Sequence, residues 1–549
     1  MAAPGSQYRG HIVLDVPAAN PTLRFDQIAR ALATIVETSP PQFAIGIFGG
    51  WGSGKSTLMD EIRRLLNGKQ TIVVQFNAWR YEREPHLIVP LLDTIRAGLS
   101  DWADARAAMD PTAARIRGIA ERVGKVVRAL VRAASMNIGI PGAVSISIDP
   151  GKALDEMTDA GGGPGTSAQS LYFAAFEELT SAFAEVKEAK IDRIVVMVDD
   201  LDRCLPQQAL TVLESMKLFF DMPGFVFVVG LDEHVVESAV RTKFVLSGRT
   251  ADGSRDAQLE RDYLKKIFQV PYTLPAMMSE QLDDLLGWLY QYGELSDEQR
   301  QDIQHTVSRY LGYVAEDGRL NPREVKRFIN AYTLSRMIRP DLDAATLLAL
   351  QTLEFRTNWE TVYDTIVLAE PQVFSSTLKT FVEGDDHAFE DLWPDIGVLP
   401  RDLSVFLRSD EAKPLQRPDL GSYVSFLETT GSAQSWVTDA MRDVGALRAQ
   451  LRAVGADTPF GSPTARTIAT SITDALSRLS GYQLTVSGLA NPIDQLRMLA
   501  GQLSATPPPG TESDSSGASI ERWKAAASSH TDTIQQELRL VRRATRFAS

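Results

Sequence analysis

At 549 residues the chain exceeds what one hydrophobic core organises, which predicts two or three domains. With 44% hydrophobic and 23% charged residues and a net charge of −14, its composition is that of a soluble globular protein, and a nucleic-acid coat is excluded as the role of the whole chain. A single cysteine, Cys204, excludes an internal disulfide framework and a cysteine-clustered zinc site, and fits a reducing cytoplasm.

The first residues, MAAPGSQYRGH, lack the apolar stretch of a secretion signal. From Phe25 to about Val240, short apolar runs alternate with longer helical ones, the pattern of a parallel sheet wrapped by helices. The first run, FAIGIFG (43–49), leads directly into GGWGSGKST. Gly49, four intervening residues, Gly54, Lys55 and Ser56 match G-x-x-x-x-G-K-[ST] between a strand and a helix expected over Ser56–Leu66. Glycines there let backbone N–H groups wrap phosphate oxygens, a lysine reaches the β and γ phosphates, and a serine hydroxyl ligates Mg²⁺. A nucleoside triphosphate is therefore expected against Gly49, Gly50, Trp51, Gly52, Ser53, Gly54, Lys55, Ser56 and Thr57, with Ser56 as a metal ligand.

The second run is TIVVQF (71–76), and an intrusion over about 99–165 follows. Within it, RIRGIAERVGKVVRALVRAA reads as an amphipathic helix with Ile119, Val123, Val126 and Leu130 on one side and Arg122, Lys125, Arg128 and Arg132 on another. A solvated basic face is the plain reading, with anionic lipid or nucleic acid as the functional ones. VSISID (144–149) alternates like a hairpin strand, and GGGPG (161–165) reads as a joint.

A helix expected over Ser170–Lys190 leads to the third run, RIVVMVD (193–199), which ends in VDDLDRC. An apolar strand carries carboxylates to its tip only where something cationic answers them. Beside the glycine-rich loop, Asp199 is expected to hold Mg²⁺ through water, and Asp200 to orient and deprotonate the attacking water. Asp202 and Arg203 are expected to pair with each other or to cap the turn before the Pro206–Phe220 helix, and Cys204 to be an inert buried thiol. TIVVQF, inserted between the two motif-bearing strands, favours the ATPase branch that has an added central strand and a catalytic acid after the metal ligand. In that branch the tip of the next strand, here FVFVVGL (225–231), carries a polar residue near the γ-phosphate or the water; Asp232 stands there, with helix capping as its structural alternative.

SGRTADGSRD (247–256) reads as a loop, and a helical lid is expected over 241–339. There NPREVKRFIN (321–330) sets Arg323, Lys326 and Arg327 on adjacent turns of one helix. Arg323 is the candidate to swing onto the γ-phosphate, which its planar fork suits. Beyond Pro340 the chain is mainly helical through 340–549, with a linker-like composition over 504–519. No run approaches the ~20 apolar residues that cross a bilayer. The expected architecture is an α/β parallel-sheet nucleotide core over 1–240, a helical lid and a helical C-terminal region.

Taken together, GIFGGWGSGKST, FNAWRYE (76–82), VDDLDRC, VVGLDEHVV, YLKKIFQVPYTLP (263–275) and NPREVKRFIN resemble the KAP family of P-loop NTPases over roughly residues 22–337. The resemblance implies ATP as the nucleotide and Trp79 and Arg80 as parts of the nucleotide-domain framework. Many members carry transmembrane helices between the two nucleotide motifs, and the basic intrusion here departs from them. Soluble bacterial members resemble components of antiphage defence operons. A Mg²⁺-dependent ATPase switch beside an effector or operon-encoded protein is thus expected, as a homo-oligomer or hetero-complex in the cytoplasm. A nucleotide-stabilised scaffold and a peripheral membrane NTPase are the alternatives.

Overall fold

The protein is seen in a computed structural model that describes residues 8–17, 24–66, 70–84, 87–108, 110–135, 168–220, 222–232, 235, 264–393, 396–430, 435–455, 458–482, 486–505 and 517–548. It divides into two compact units. One comprises Asp15–Trp288 with Asn321–Glu324; the other holds the described residues of Met1–Leu14, Leu289–Leu320 and Val325–Ser549. The division falls inside the span expected for the lid.

The first unit is built on five strands: β1 (Phe43–Phe48), β2 (Thr71–Asn77), β3 (Arg193–Asp199), β4 (Phe225–Leu231) and β5 (Val270–Thr273). Their order is β2-β3-β4-β1-β5, and every pair is parallel. The parallel sheet expected from the apolar runs is thus present, with one correction. TIVVQF stands at the edge as β2, and the strand between the two motif-bearing strands is FVFVVGL, β4. A chain inserted between two strands in sequence need not lie between them in space, because parallel strands are joined by long crossovers.

Near-continuous apolar sequence follows from two covered faces. Ile194, Val196 and Val198 of β3 pack with α3 (Ile88–Arg106), α4 (Thr112–Ser135), α5 (Ala168–Glu188) and α6 (Pro206–Phe220). Val195 and Met197 face the other way, onto α1 (Phe25–Thr38) and α2 (Lys55–Leu66). All seven residues of β4 are buried. β5 alternates half-buried and exposed residues and contains Pro271, whose missing N–H confines it to an edge.

The basic helix of the intrusion is α4, and its apolar side is used inside the protein: Ile116, Ile119, Val123, Val126 and Leu130 join the core beneath the sheet. Arg122 meets Glu178 and Glu185 of α5 at 2.6 and 2.5 Å. VSISID, GGGPG, SGRTADGSRD and the middle of the expected linker lie outside the described residues. The second unit is helical beyond α7 (Pro322–Ile338): α8 (Ser435–Arg452), α9 (Pro463–Ser480), α10 (Ala490–Ser504) and α11 (Gly517–Ala548) pack in successive pairs. Among the described residues no helix is long and apolar enough to cross a membrane.

Candidate functional site

The loop Gly49–Gly54 joins the end of β1 to the start of α2, where the helix N-terminus and its unpaired N–H groups favour an anion. Two of its glycines sit in the left-handed region, Gly52 at φ 81° and Gly54 at φ 100°. A Cβ on Gly52 would stand 2.6 Å from Asn321 Oδ1 and 2.7 Å from Arg323 Cβ, so only hydrogen fits there.

Lys55, the first residue of α2, is buried. Its ammonium donates to the Gly49 and Gly50 carbonyls at 2.9 and 3.1 Å and meets Asp202 Oδ2 at 2.7 Å. β1 and β3 end on the same rim of the sheet with β4 between them, and this brings the lysine to the carboxylates. The cation demanded by VDDLDRC is therefore present, but the carboxylate that meets it is Asp202. The expected Asp202–Arg203 pairing is corrected: Arg203 turns to Asp200 instead, Nε to Oδ1 at 2.6 Å. The short 3₁₀ turn Leu201–Arg203 separates the two side chains and sends them to different partners.

Asp199 closes β3 beside Gly230 of β4, where a Cβ would stand 3.3 Å from Asp199 Oδ1. Its carboxylate accepts from the Asp200 N–H at 2.9 Å and from the Ser56 hydroxyl. Burial raises the pKa of this carboxyl above the usual range; the two hydrogen bonds oppose that, and the charges of Asp200 and Asp202 add to it. Asp200 itself is left-handed, φ 57° and ψ 27°. The Asn77 amide donates to its Oδ2 at 2.6 Å while Asn77 Oδ1 accepts from the Arg80 N–H at 3.2 Å, which fixes which end of the amide faces the acid. Arg203, bound to the other carboxylate oxygen, lies over the Trp79 ring at 5.5 Å. A cavity of about 460 Å³ opens beside Asp199, lined by Met59, Asp60, Asn77, Arg80 and Met197 among others.

Ser56 and Asp199 fit a magnesium ion in kind. Both offer hard oxygen, and they lie within one hydrogen bond of each other at the phosphate loop. Two protein oxygens suit an ion that keeps most of its shell for water and phosphate, and among the described residues there is no larger cluster of metal-binding side chains.

Asp232 follows the last residue of β4, half-buried, with the loop alongside through the Gly49 N–H to Leu231 O bond of 3.2 Å. Arg323 is brought to the loop. Its guanidinium lies 3.9 Å from the centre of the Trp51 ring and is ion-paired with Asp15. Asn321 donates to the Trp51 carbonyl at 2.7 Å. Cys204 is buried, and burial pushes its thiol up to about 12, with Glu82, Asp202 and Asp200 adding to the shift, which fits an inert thiol.

Asn77, Asp15 and Asn321 are the site residues that sequence reasoning passed over. Asn77 lay within FNAWRYE and Asn321 within NPREVKRFIN, so both stretches carried a signal, although nothing in them named these residues.

A family model described as the KAP family P-loop domain matches residues 25–339. Among curated proteins, the phage T7 exclusion protein of Escherichia coli is 24% identical over 273 residues, covering 46% of this chain and 33% of that protein. An uncharacterized protein of Methanocaldococcus jannaschii is 24% identical over 202 residues, covering 33% of this chain and 98% of its own length. The chain thus spans about a third of the phage exclusion protein and nearly all of the archaeal one. Among solved structures, the Aeropyrum pernix ORC2 protein aligns at a TM-score of 0.30 and 14% identity, over 76% of this chain and 89% of that one, a likeness too weak to add to the strand order above.

Proposed function

The chain belongs to the KAP family of P-loop NTPases, and on that premise we propose that it is a Mg²⁺-dependent ATPase acting as a nucleotide-driven switch in defence against phage or plasmids. The observation that carries this reading is the convergence of Lys55, Ser56, Asp199 and Asp200 at one rim of the sheet. The setting is drawn from the likeness to the phage T7 exclusion protein, and with it a protein partner that receives the switch.

In this reading the glycine loop and the start of α2 bind the phosphates through backbone N–H groups. Lys55 exchanges its present contacts with Asp202 and the Gly49 and Gly50 carbonyls for phosphate oxygens. Ser56 and Asp199 would hold a magnesium ion, whose charge would offset that of the phosphates. Asp200 accepts the proton of the attacking water on a carboxylate lone pair that its contacts with Asn77 and Arg203 leave open. Arg323 is placed to follow the loop through Trp51, and its fork reaches phosphate by leaving Asp15. Asp232 is assigned the γ-phosphate side at the tip of β4.

A second reading, a nucleotide-stabilised scaffold with negligible turnover, is favoured by one observation: both carboxylate oxygens of Asp200 are already engaged. Phosphate release decides between them. The wild type is expected to release phosphate from ATP, Asp200→Asn to bind ATP with release lowered by ~10²-fold or more, and Lys55→Ala to lose binding. Wild-type binding without release above buffer selects the scaffold, and tight ATP binding by Lys55→Ala defeats both readings. A membrane-surface role gains no support, since the apolar side of α4 that a bilayer would take is already in the core.

A further inference from the structure

Ahead of α1, in HIVLD (11–15), Val13 is buried while Ile12 and Leu14 on either side of it are exposed. That alternation belongs to an extended chain, in which Val13 and Asp15 share a side. The Asn330 amide donates to the Val13 carbonyl at 2.9 Å and accepts from its N–H at 2.7 Å, and the Lys326 ammonium donates to the Leu14 carbonyl at 3.3 Å. Gln299 holds His11 in the same two-handed way, at 2.8 and 3.0 Å. Asp15, next in line, reaches the Arg323 guanidinium.

Asn330, Lys326 and Arg323 lie four and three residues apart on α7 and so share one face of it. Val13, Leu14 and Asp15 meet them in that order, so the segment runs along the helix towards its N-terminus. Backbone bonds to side-chain amides do not depend on which side chains the segment carries. They would hold it in place whatever stood at position 15, and the carboxylate there is a separate feature of the sequence.

What that carboxylate meets is the arginine assigned to the γ-phosphate. The Arg323 guanidinium has the Trp51 ring of the phosphate loop on its face and gives its Nε to Asp15. Its two terminal nitrogens have no acceptor among the described residues. Asp15 is exposed, lies in none of the nucleotide motifs, and pairs with no other cation among the described residues. Carboxylate and phosphate are both anions that guanidinium N–H groups bind, so they compete for this arginine.

We propose that Asp15 is an autoinhibitory latch on Arg323: the segment along α7 carries a built-in competitor that holds the arginine off the nucleotide until a γ-phosphate displaces it. The inference rests on the reading of Arg323 as the residue that meets the γ-phosphate, and it adds regulation to that site. A partly exposed pair is weak, so the latch raises the amount of triphosphate needed to engage the arginine and does not forbid engagement. A diphosphate offers no γ-phosphate to compete and leaves the latch shut.

The test titrates the full chain calorimetrically, in magnesium buffer, with adenylyl imidodiphosphate as a non-hydrolysable triphosphate and with ADP. Asp15→Asn keeps the shape of the side chain and removes its charge. It is expected to bind the triphosphate about two- to fivefold more tightly than wild type, the scale of an exposed ion pair, with ADP affinity unchanged. The gain is expected to vanish when Arg323→Ala is also present. Triphosphate affinity that is unchanged or weaker in Asp15→Asn, or a gain that survives Arg323→Ala or extends equally to ADP, overturns the latch. Because the readout is binding, a wild type that releases no phosphate defeats the ATPase reading and leaves the latch to be judged by these titrations, while failure of the latch leaves wild-type release untouched.

Discussion

At the scale of single residues, the site rests on a few positions where one atom decides the outcome. Gly52 is left-handed and has Asn321 and Arg323 packed where a side chain would grow. Gly52→Ala combines ~1–2 kcal/mol of backbone penalty with a displaced neighbour, and ATP affinity is expected to fall at least tenfold while the fold persists. An ATP dissociation constant within twofold of wild type, measured by titration, would show that the close packing is not needed. Asn77 tests the opposite effect, a restraint on the acid rather than support for the loop. Its 2.6 Å bond to a carboxylate is of the kind worth ~1.5–3 kcal/mol, so Asn77→Ala is expected to raise single-turnover phosphate release several-fold by freeing one oxygen of Asp200. Unchanged or slower release would mean that Asn77 positions the acid for catalysis instead of holding it back. Lys55, Ser56, Asp199 and Asp200 were legible in the sequence because each sits inside a contiguous motif. Their partners were not: Asn77 meets Asp200 across 123 residues, Asn321 meets Trp51 across 270 and Asp15 meets Arg323 across 308. Pairing over such separations is set by tertiary packing, which local pattern does not encode.

At the scale of elements, the four long strands were readable because a parallel strand covered on both faces must be apolar at almost every position. β5 was hidden by the same logic: four residues with Pro271 among them, half-exposed, carry no such run. Strand order was equally hidden, since β2 and β4 are alike in composition and only the crossovers decide which takes the edge. α4 shows a basic helix whose apolar side is spoken for. Its stripe of arginines reads as a solvated basic face, the opposite side fills the core, and Arg122 is held by Glu178 and Glu185. Ile119→Ala, at a position 1% exposed, is therefore expected to cost ~2–5 kcal/mol in urea unfolding of the full chain. A loss below ~1 kcal/mol would return α4 to the class of loosely docked surface helices.

At the scale of the whole molecule, two units with separate cores divide the sequence: nucleotide motifs in one and a helical array of unassigned sequence in the other. The second unit is closed by α11, whose Arg542 is 1% exposed and reaches Asp364 and, at 2.7 Å, Glu428. Asp364 comes from a π-helical segment, Tyr363–Leu368, and Glu428 also accepts from Tyr363 and Thr438. Removing the arginine leaves two buried carboxylates without their cation, and losing one partner of a buried pair typically costs ~3–5 kcal/mol. Arg542→Met keeps the volume and removes the charge, so it isolates that term from cavity formation. The expected calorimetric result is an unfolding transition that moves to lower temperature for the second unit, while ATP still raises the melting of the first by its ordinary binding linkage. If Arg542→Met abolishes ATP binding together with the helical transition, the two units fold as one cooperative body, and the division of labour drawn from their separate cores fails.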